Sequence, residues 1–458
     1  RRLTAKGNAS TCYSASSCCS LYWVQDGLNS AQSKTDMKLL VISYYWPPAG
    51  GPGVQRWLKT SLALQDQGHE VEVLTVDPQE ATYPLTDESL VLESKQINVH
   101  CTPTRDWFSA YQKLTRRKEV PFSGFANQAG RPGPIQRLSR FIRGNFFMPD
   151  PRRGWNAFAL KKAKILMSTK DFDVVITTGP PHSTHLIGRD LKRLTGCTWW
   201  ADFRDPWTDI YYYDQFYPTR WARKKDMAME QSVLNQADRI LCVSEDLKRL
   251  LSSKVKRSSS DFHIMPNGYD PKDFSQSVSQ PSNETFTLAY TGTLTLQYPV
   301  KALYQAIQKV IDARQAINLV IAGRPANECV DQLQQMAQGS NGLFKFKALG
   351  YLPHAESVKV LERADALLLL IPDLPNNKGI LTGKLFEYIG SGRPIWGFGP
   401  DGSDAQAILD KVHAGQLHED PSKASQHLLS WMINCPNGAR QSDKAAYTRL
   451  GLAKDLMA

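Results

Sequence analysis

The sequence predicts an α/β chain built as two Rossmann-like, doubly wound parallel-sheet domains that face each other across a cleft. Three observations lead there. Short apolar runs of strand length alternate with helix-period segments along nearly the whole chain. The alternation breaks once, at a Ser-, Gln- and Pro-rich stretch over residues 271–283, and then begins again. A glycine-bearing turn follows the first strand of each half, at Gly50-Gly51 and at Gly292. Repeated strand–helix–strand units form parallel sheets with helices on both faces.

Taken in order, residues 1–36 are rich in Ser, Ala and Asn and lack the apolar centre of a secretory signal, so a disordered or non-native leader is expected. Residues 38–44 read as a buried strand. It breaks at Pro47-Pro48-Ala49-Gly50-Gly51-Pro52-Gly53, and a helix over 54–67 and a strand over 71–76 follow. Glycine at that turn lets backbone N–H groups approach a phosphate or a sugar, although the GxGxxG order is missing. Residues 171–178 form another strand, and His182 falls at its C-terminal end, where open α/β sheets bind ligands. His185, one turn on, reads as packing. The next strand runs from Thr198 into Asp202-Phe203-Arg204-Asp205-Pro206-Trp207, a dense polar and aromatic cluster. It can serve a ligand, or Asp202 with Arg204 can be a buried ion pair. A strand over 237–243 ends in a Ser244-Glu245 helix cap, and one near His263 closes at Asn267-Gly268.

The second half repeats the pattern, with strands over 286–290, 317–321, 344–348 and 366–371. The stretch from Gly379 to Ile395 then carries the main functional expectation. Thr382 is placed as an N-cap, Leu385, Phe386 and Ile389 supply an apolar stripe, and Gly390 and Gly392 stop the helix. Lys384 and Glu387 are three apart and share a face. A helix N-terminus suits a diphosphate, Lys384 adds a charge, and Glu387 can accept hydrogen bonds from a ribose diol. The alternative is a surface helix with Lys384 and Glu387 on its wet side. The expected boundaries are 37–280 and 281–440 for the two domains, with 441–458 as a last helix.

The formal charge of +11 is local. Between Arg105 and Lys170 stand 15 Lys and Arg against three carboxylates, an excess above that of the whole chain. With Trp107, Phe108, Phe141 and Phe146 interleaved, this stretch suits an anionic membrane surface or a phosphorylated acceptor; a solvated helical insertion is the bland reading. No apolar run reaches the ~18–20 residues of a membrane span. The eight cysteines form no CxxC pair and no metal-ligand spacing, which points to a reducing cytoplasmic setting.

The Gly50-Gly51 turn, Cys242-Val243-Ser244-Glu245, Pro266-Asn267-Gly268, the Gly292 turn and Lys384-Leu385-Phe386-Glu387-Tyr388 through Pro394 together resemble glycosyltransferase family 4, of the GT-B fold. The Asp202–Trp207 cluster resembles a subgroup among bacterial polysaccharide enzymes. The resemblance implies transfer of a sugar from a nucleoside-diphosphate sugar to a hydroxyl acceptor, with retention, in polysaccharide or glycolipid synthesis. It implies donor contacts at Gly50, Gly51, Gly292, Thr293, Arg324, Lys384, Leu385 and Glu387, with His182, Arg324 and Lys384 acting on the reacting groups. Asp202, Arg204, Asp205 and Trp207 are expected on the acceptor side. Two features depart from the family. The Glu eight residues before Glu387 is replaced by Gly379, and Thr293 and Leu294 stand in the usual Arg region, leaving Arg324 and Lys384 to compensate.

No Asp-x-Asp pair stands at a strand's C-terminal end, so the expected site uses no metal and no cofactor beyond the donor itself. The expected partners are the donor, a glycan or lipid-linked acceptor and an anionic surface at 105–170, with no nucleic acid. The expected location is the cytoplasm, at the inner face of the plasma membrane. Competing readings are another GT-B enzyme, such as a nucleotide-sugar 2-epimerase or a phosphorylase, and a non-catalytic basic binding protein.

Overall fold

The computed structural model describes residues 36–105, 133–274, 283–434, 438 and 441–458. The expected leader (apart from Asp36), the middle of the basic stretch and most of the expected linker lie outside them.

In the first lobe β1 (Lys38–Ile42) leads through α1 (Pro52–Gln65) to β2 (Glu70–Val76), and through α2 (Ser89–Ser94) to β3 (Asn98–Thr102). Helices α3 (Pro134–Phe146) and α4 (Asn156–Thr169) precede β4 (Val174–Gly179). There follow α5 (Ser183–Thr195), β5 (Trp199–Phe203), α6 (Arg220–Gln236), β6 (Arg239–Cys242), α7 (Glu245–Ser252) and β7 (Phe262–Ile264). The strands are parallel, in the order β3-β2-β1-β4-β5-β6-β7. The central strand β1 reads as an unbroken apolar run over Leu39–Ile42 because both its faces are covered. Leu40 and Ile42 pack with residues of α4, α5 and α6, while Leu39 and Val41 pack with Trp57, Leu58 and Leu64 of α1.

The second lobe opens with β8 (Phe286–Thr291), α8 (Val300–Asp312), β9 (Ile317–Ala322), α9 (Asn327–Gly339) and β10 (Phe344–Gly350). It continues with α10 (His354–Arg363), β11 (Ala366–Leu370), α11 (Gly383–Ser391) and β12 (Ile395–Phe398). It closes with α12 (Asp404–Val412), β13 (Gly415–His418) and α13 (Pro421–Ile433). Its strand order, β10-β9-β8-β11-β12-β13, repeats that of the first lobe. Each sheet therefore reverses direction once, beside β1/β4 and beside β8/β11. Crevices open past the strand ends at such points.

The segment expected as one last helix is divided. After α14 (Gln441–Lys444) and a short 3-10 turn, Thr448 caps α15 (Arg449–Met457) by accepting from Gly451 N at 3.0 Å. Thr favours a cap over a helix interior because its hydroxyl can satisfy an unpaired N–H. Helix α15 packs on α1, with Ala453 and Leu456 buried in the first lobe's core. Where the chain passes between the lobes, Tyr269 N donates to Tyr447 O at 3.1 Å and Arg449 N to Tyr269 O at 2.9 Å. The outgoing and returning passages are thus paired side by side, and residues 36–458 form one unit. No helix of the described residues is long and apolar enough to cross a membrane. Cys101, Cys197, Cys242 and Cys329 are free thiols.

Candidate active site

The turn after β1 sets the first wall. Gly51 has φ +105°, a left-handed value that L side chains resist, and Pro52 then occupies the first position of α1. No side chain caps this helix start. Past β11, the loop over 372–382 leads to α11, whose start is also without a side-chain cap. The Thr382 hydroxyl, expected to cap it, is instead buried with no hydrogen-bond partner. A Cβ built on Gly383 would lie 3.9 Å from Pro52 Cβ, so the two helix starts meet across the cleft. Both carry unpaired N–H groups and the positive end of a helix dipole.

Lys384 and Glu387 turn inward, not toward solvent. The Lys384 chain lies against Gly292, where a Cβ would come 2.6 Å from its Cε. Its Nζ donates to Tyr290 OH at 2.8 Å and sits 4.4 Å above the Tyr290 ring. Burial pulls the Lys384 ammonium down to about 8, and the Glu387 charge opposes that fall. Burial raises Glu387, which makes no hydrogen bond among the described residues. The charges of His354, Lys384 and Arg449 counter the rise, and that of Asp273 adds to it. Tyr388 OH accepts from Thr291 N at 3.0 Å and so fastens α11 to the end of β8. Leu385 is fully buried, so its side chain belongs to the core and only its backbone faces the helix start. Thr293 is exposed, and its carbonyl accepts from Tyr290 OH at 2.7 Å. Arg324 is exposed, with its guanidinium 5.5 Å from the Tyr351 ring centroid.

Gly50, Gly51, His182, Arg204, Asp205 and Trp207 line one cavity of about 680 Å³, together with Gly379 and Gly383 of the other lobe. His182 stacks flat on Trp207, with ring centroids 5.1 Å apart and planes at 7°. Burial, then the neighbouring His185 and Arg204 charges, hold His182 well below its usual range, so it is neutral near pH 7. His185 is packing, as expected, with Nδ1 2.9 Å from Thr177 Oγ1. Asp205 is half-buried and without a hydrogen bond among the described residues; burial raises it, against the pull of Arg204.

Asp202, expected on the acceptor side or as a buried partner of Arg204, is neither: it does not line the cavity and it answers Arg56. Asp202 is fully buried and pairs with Arg56 of α1 at 2.7 Å. It also accepts from Trp57 Nε1 at 2.6 Å and Thr178 Oγ1 at 2.8 Å. Burial alone would raise its carboxyl, but Arg56 and these donors hold it below the usual range. Arg204 lies just past the end of β5, and α1 brings Arg56 to the Asp202 carboxylate. Arg204 instead donates to the carbonyls of Gly179 and Pro180 at 3.2 and 2.7 Å. Its Nη1 packs so closely on Gly53 that a Cβ there would lie 1.6 Å away.

Gly379, which stands in place of a family carboxylate, has no room for a side chain. A Cβ would come 2.7 Å from Asp246 Cβ and 3.1 Å from Ser244 Oγ, at the start of α7. Sequence reasoning did not reach Arg56, Tyr290 or Asp226. For Arg56 a signal existed: it stands next to Trp57 and Leu58 on a helix buried nearly all round.

Two lobes of repeated strand order, joined by a paired crossing and meeting at helix starts, have the fold of the GT-B glycosyltransferases. Residues 50–268 match the family model of the glycosyl transferase 4-like domain. The chain is 21% identical over 339 residues to the glycogen synthase of Mycobacterium tuberculosis, covering 73% of this chain and 72% of that protein. Among solved structures it resembles Anabaena HepE in complex with UDP, at a TM-score of 0.52 and 12% identity, covering 92% of this chain and 94% of that one. It also resembles the lipopolysaccharide outer core galactosyltransferase WaaB in its apo form (TM-score 0.53, 14% identity, 92% and 98% covered).

Proposed function

We propose that the protein transfers a hexose from a nucleoside-diphosphate sugar to an acceptor hydroxyl, with retention and without a metal ion. The observation that carries this is the meeting of two side-chain-uncapped helix starts, at Pro52 and Gly383, beside the half-buried Lys384. Breaking the anomeric bond puts negative charge on the leaving diphosphate. Preorganised N–H groups and one ammonium in a largely dry crevice stabilise that charge more in the transition state than in the ground state. Glu387, half-buried and without a hydrogen bond among the described residues, is suited to accept from a ribose diol. That the HepE structure holds UDP supports a uridine nucleotide as the first donor to try.

In this reading neutral His182 donates to or accepts from sugar hydroxyls and orients the ring, held by its stack on Trp207. Asp205 receives a hydrogen bond from the incoming hydroxyl, with Arg204 beside it. The acceptor is a glycan or a lipid-linked glycan, and the described part of the basic stretch, residues 133–170, is the surface at which anionic surroundings are met.

Thermal unfolding with UDP, GDP and ADP tests the donor site. A diphosphate at 100 times its dissociation constant adds about 2.7 kcal/mol of apparent stability. We expect that gain in the wild type and its loss in Glu387→Ala. No gain from any of the three, or the same gain in the variant, overturns the assignment.

A further inference from the structure

Helix α3 is mounted against the usual rule for a soluble protein. Two of its polar residues face inward: Arg140 and Asn145 are buried, and Asn145 Nδ2 donates to Tyr217 O at 3.0 Å. Thr219 N donates back to Asn145 Oδ1 at 2.8 Å, and Arg143 lies 4.1 Å over the Phe216 ring. Gly144 meets the Phe216 backbone so closely that a Cβ would lie 2.3 Å from its carbonyl oxygen. The side facing water carries Ile135, Leu138, Ile142 and Phe146, exposed by 75, 61, 37 and 74%. Their spacing of three, four and four residues makes one continuous stripe along the helix. Isolated exposed apolar residues need no explanation, but a whole helical face does.

The stripe does not stand alone. Helix α6, which α3 contacts, begins with Trp221 exposed by 62% beside exposed Arg220, Lys224 and Lys225, and Lys225 Nζ lies 4.8 Å from the Trp221 ring centroid. Arg137 on α3 is also exposed. Apolar residues flanked by Lys, Arg and an interfacial Trp match the chemistry of an anionic bilayer surface, in which acyl chains take the stripe and headgroups take the cations. Position supports this partner over a second protein copy. Arg143 and Gly144 on the inner side of α3, with Phe147 and Met148 just after it, line the interlobe cavity. A helix lying in the headgroup layer would bring the mouth of that cavity to the membrane.

We propose that α3 inserts its Ile135–Leu138–Ile142–Phe146 stripe into an anionic lipid surface and delivers a membrane-borne acceptor to the cleft. The second half of this statement rests on the transferase reading above; the first does not. The test is sedimentation of the full chain with phosphatidylglycerol-rich vesicles and, separately, with pure phosphatidylcholine vesicles. We expect binding to the first, weakened by salt and by about fivefold per charge removed in Arg137→Gln and Lys224→Gln. A Leu138→Gln, Ile142→Gln, Phe146→Gln variant is expected to lose about tenfold or more in vesicle affinity while keeping the wild-type melting point and UDP response. Wild-type protein left in the supernatant overturns the proposal. So does equal binding by the triple variant, or equal binding to phosphatidylcholine. A concentration-dependent dimer that the triple variant dissolves, without vesicle binding, assigns the stripe to a second copy and also overturns it. Failure of the UDP response with vesicle binding intact would fault the transferase reading alone.

Discussion

Trp207 donates its indole N–H to Asp226 at 2.7 Å while its ring lies flat on His182. Asp226 also accepts from Tyr213 OH at 2.9 Å. A buried carboxylate on α6 therefore sets the orientation of the ring against which the cleft histidine rests. Burial lifts Asp226 from 3.8 to about 6, partly offset by its two donors. A carboxyl raised on folding contributes stability that is complete below the unfolded value and lost as pH rises through the folded one. Between pH ~3 and ~7 the wild type should therefore lose about 3 kcal/mol that Asp226→Asn does not. Denaturant unfolding of both proteins across that range checks it; parallel stability curves would contradict the assignment.

Lys384 gives a functional pH dependence. With its ammonium at about 8 in the free protein, diphosphate affinity should decline as pH rises beyond that value, since an anion binds the protonated form. Lys384→Arg, which stays charged, should flatten the decline. Lys384→Ala should weaken UDP binding by about tenfold to a hundredfold at pH 7. Calorimetric titration between pH 7 and 9.5 on the three proteins measures this.

Asp202 and Asp205 are three residues apart and should fail in different ways. Asp202→Ala leaves the Arg56 guanidinium buried without its carboxylate, so a loss of about 3–5 kcal/mol in unfolding free energy is expected. Asp205→Asn should leave the melting point within about a degree. It should lower kcat/KM for the acceptor by about tenfold or more. Unfolding and steady-state kinetics on both variants separate the roles.

Gly53→Ala probes the close approach of Arg204. The new methyl would overlap Nη1, so the guanidinium must leave the Gly179 and Pro180 carbonyls. Acceptor KM should rise, while UDP binding, which relies on α11, stays near wild type. Equal loss of both would mean the methyl disturbs the turn after β1 as a whole.

The alternation of strands and helices was legible in the sequence because parallel strands covered on both faces carry unbroken apolar runs such as 39–42 and 366–370. That Lys384 and Glu387 share one helix face followed from their spacing; which way that face turns did not. What stayed hidden was partnership across distance. Nothing local in Asp202-Phe203-Arg204 says that the first acid answers Arg56, 146 residues upstream. The Thr448 break was missed because the apolar pattern continues through it; only the capping hydroxyl reveals it. The reversed mounting of α3 could not be read either, since a periodic stripe has the same spacing whether it faces a core or the outside.

The paired crossing at Tyr269 and Thr448 limits how this molecule can gape. Two strands of chain tied together along one margin act like the spine of a book: the covers swing, but neither can slide past the other. Whatever enters between Pro52 and Gly383 must come from the fore-edge, and every opening of the covers pulls those two helix starts apart at once.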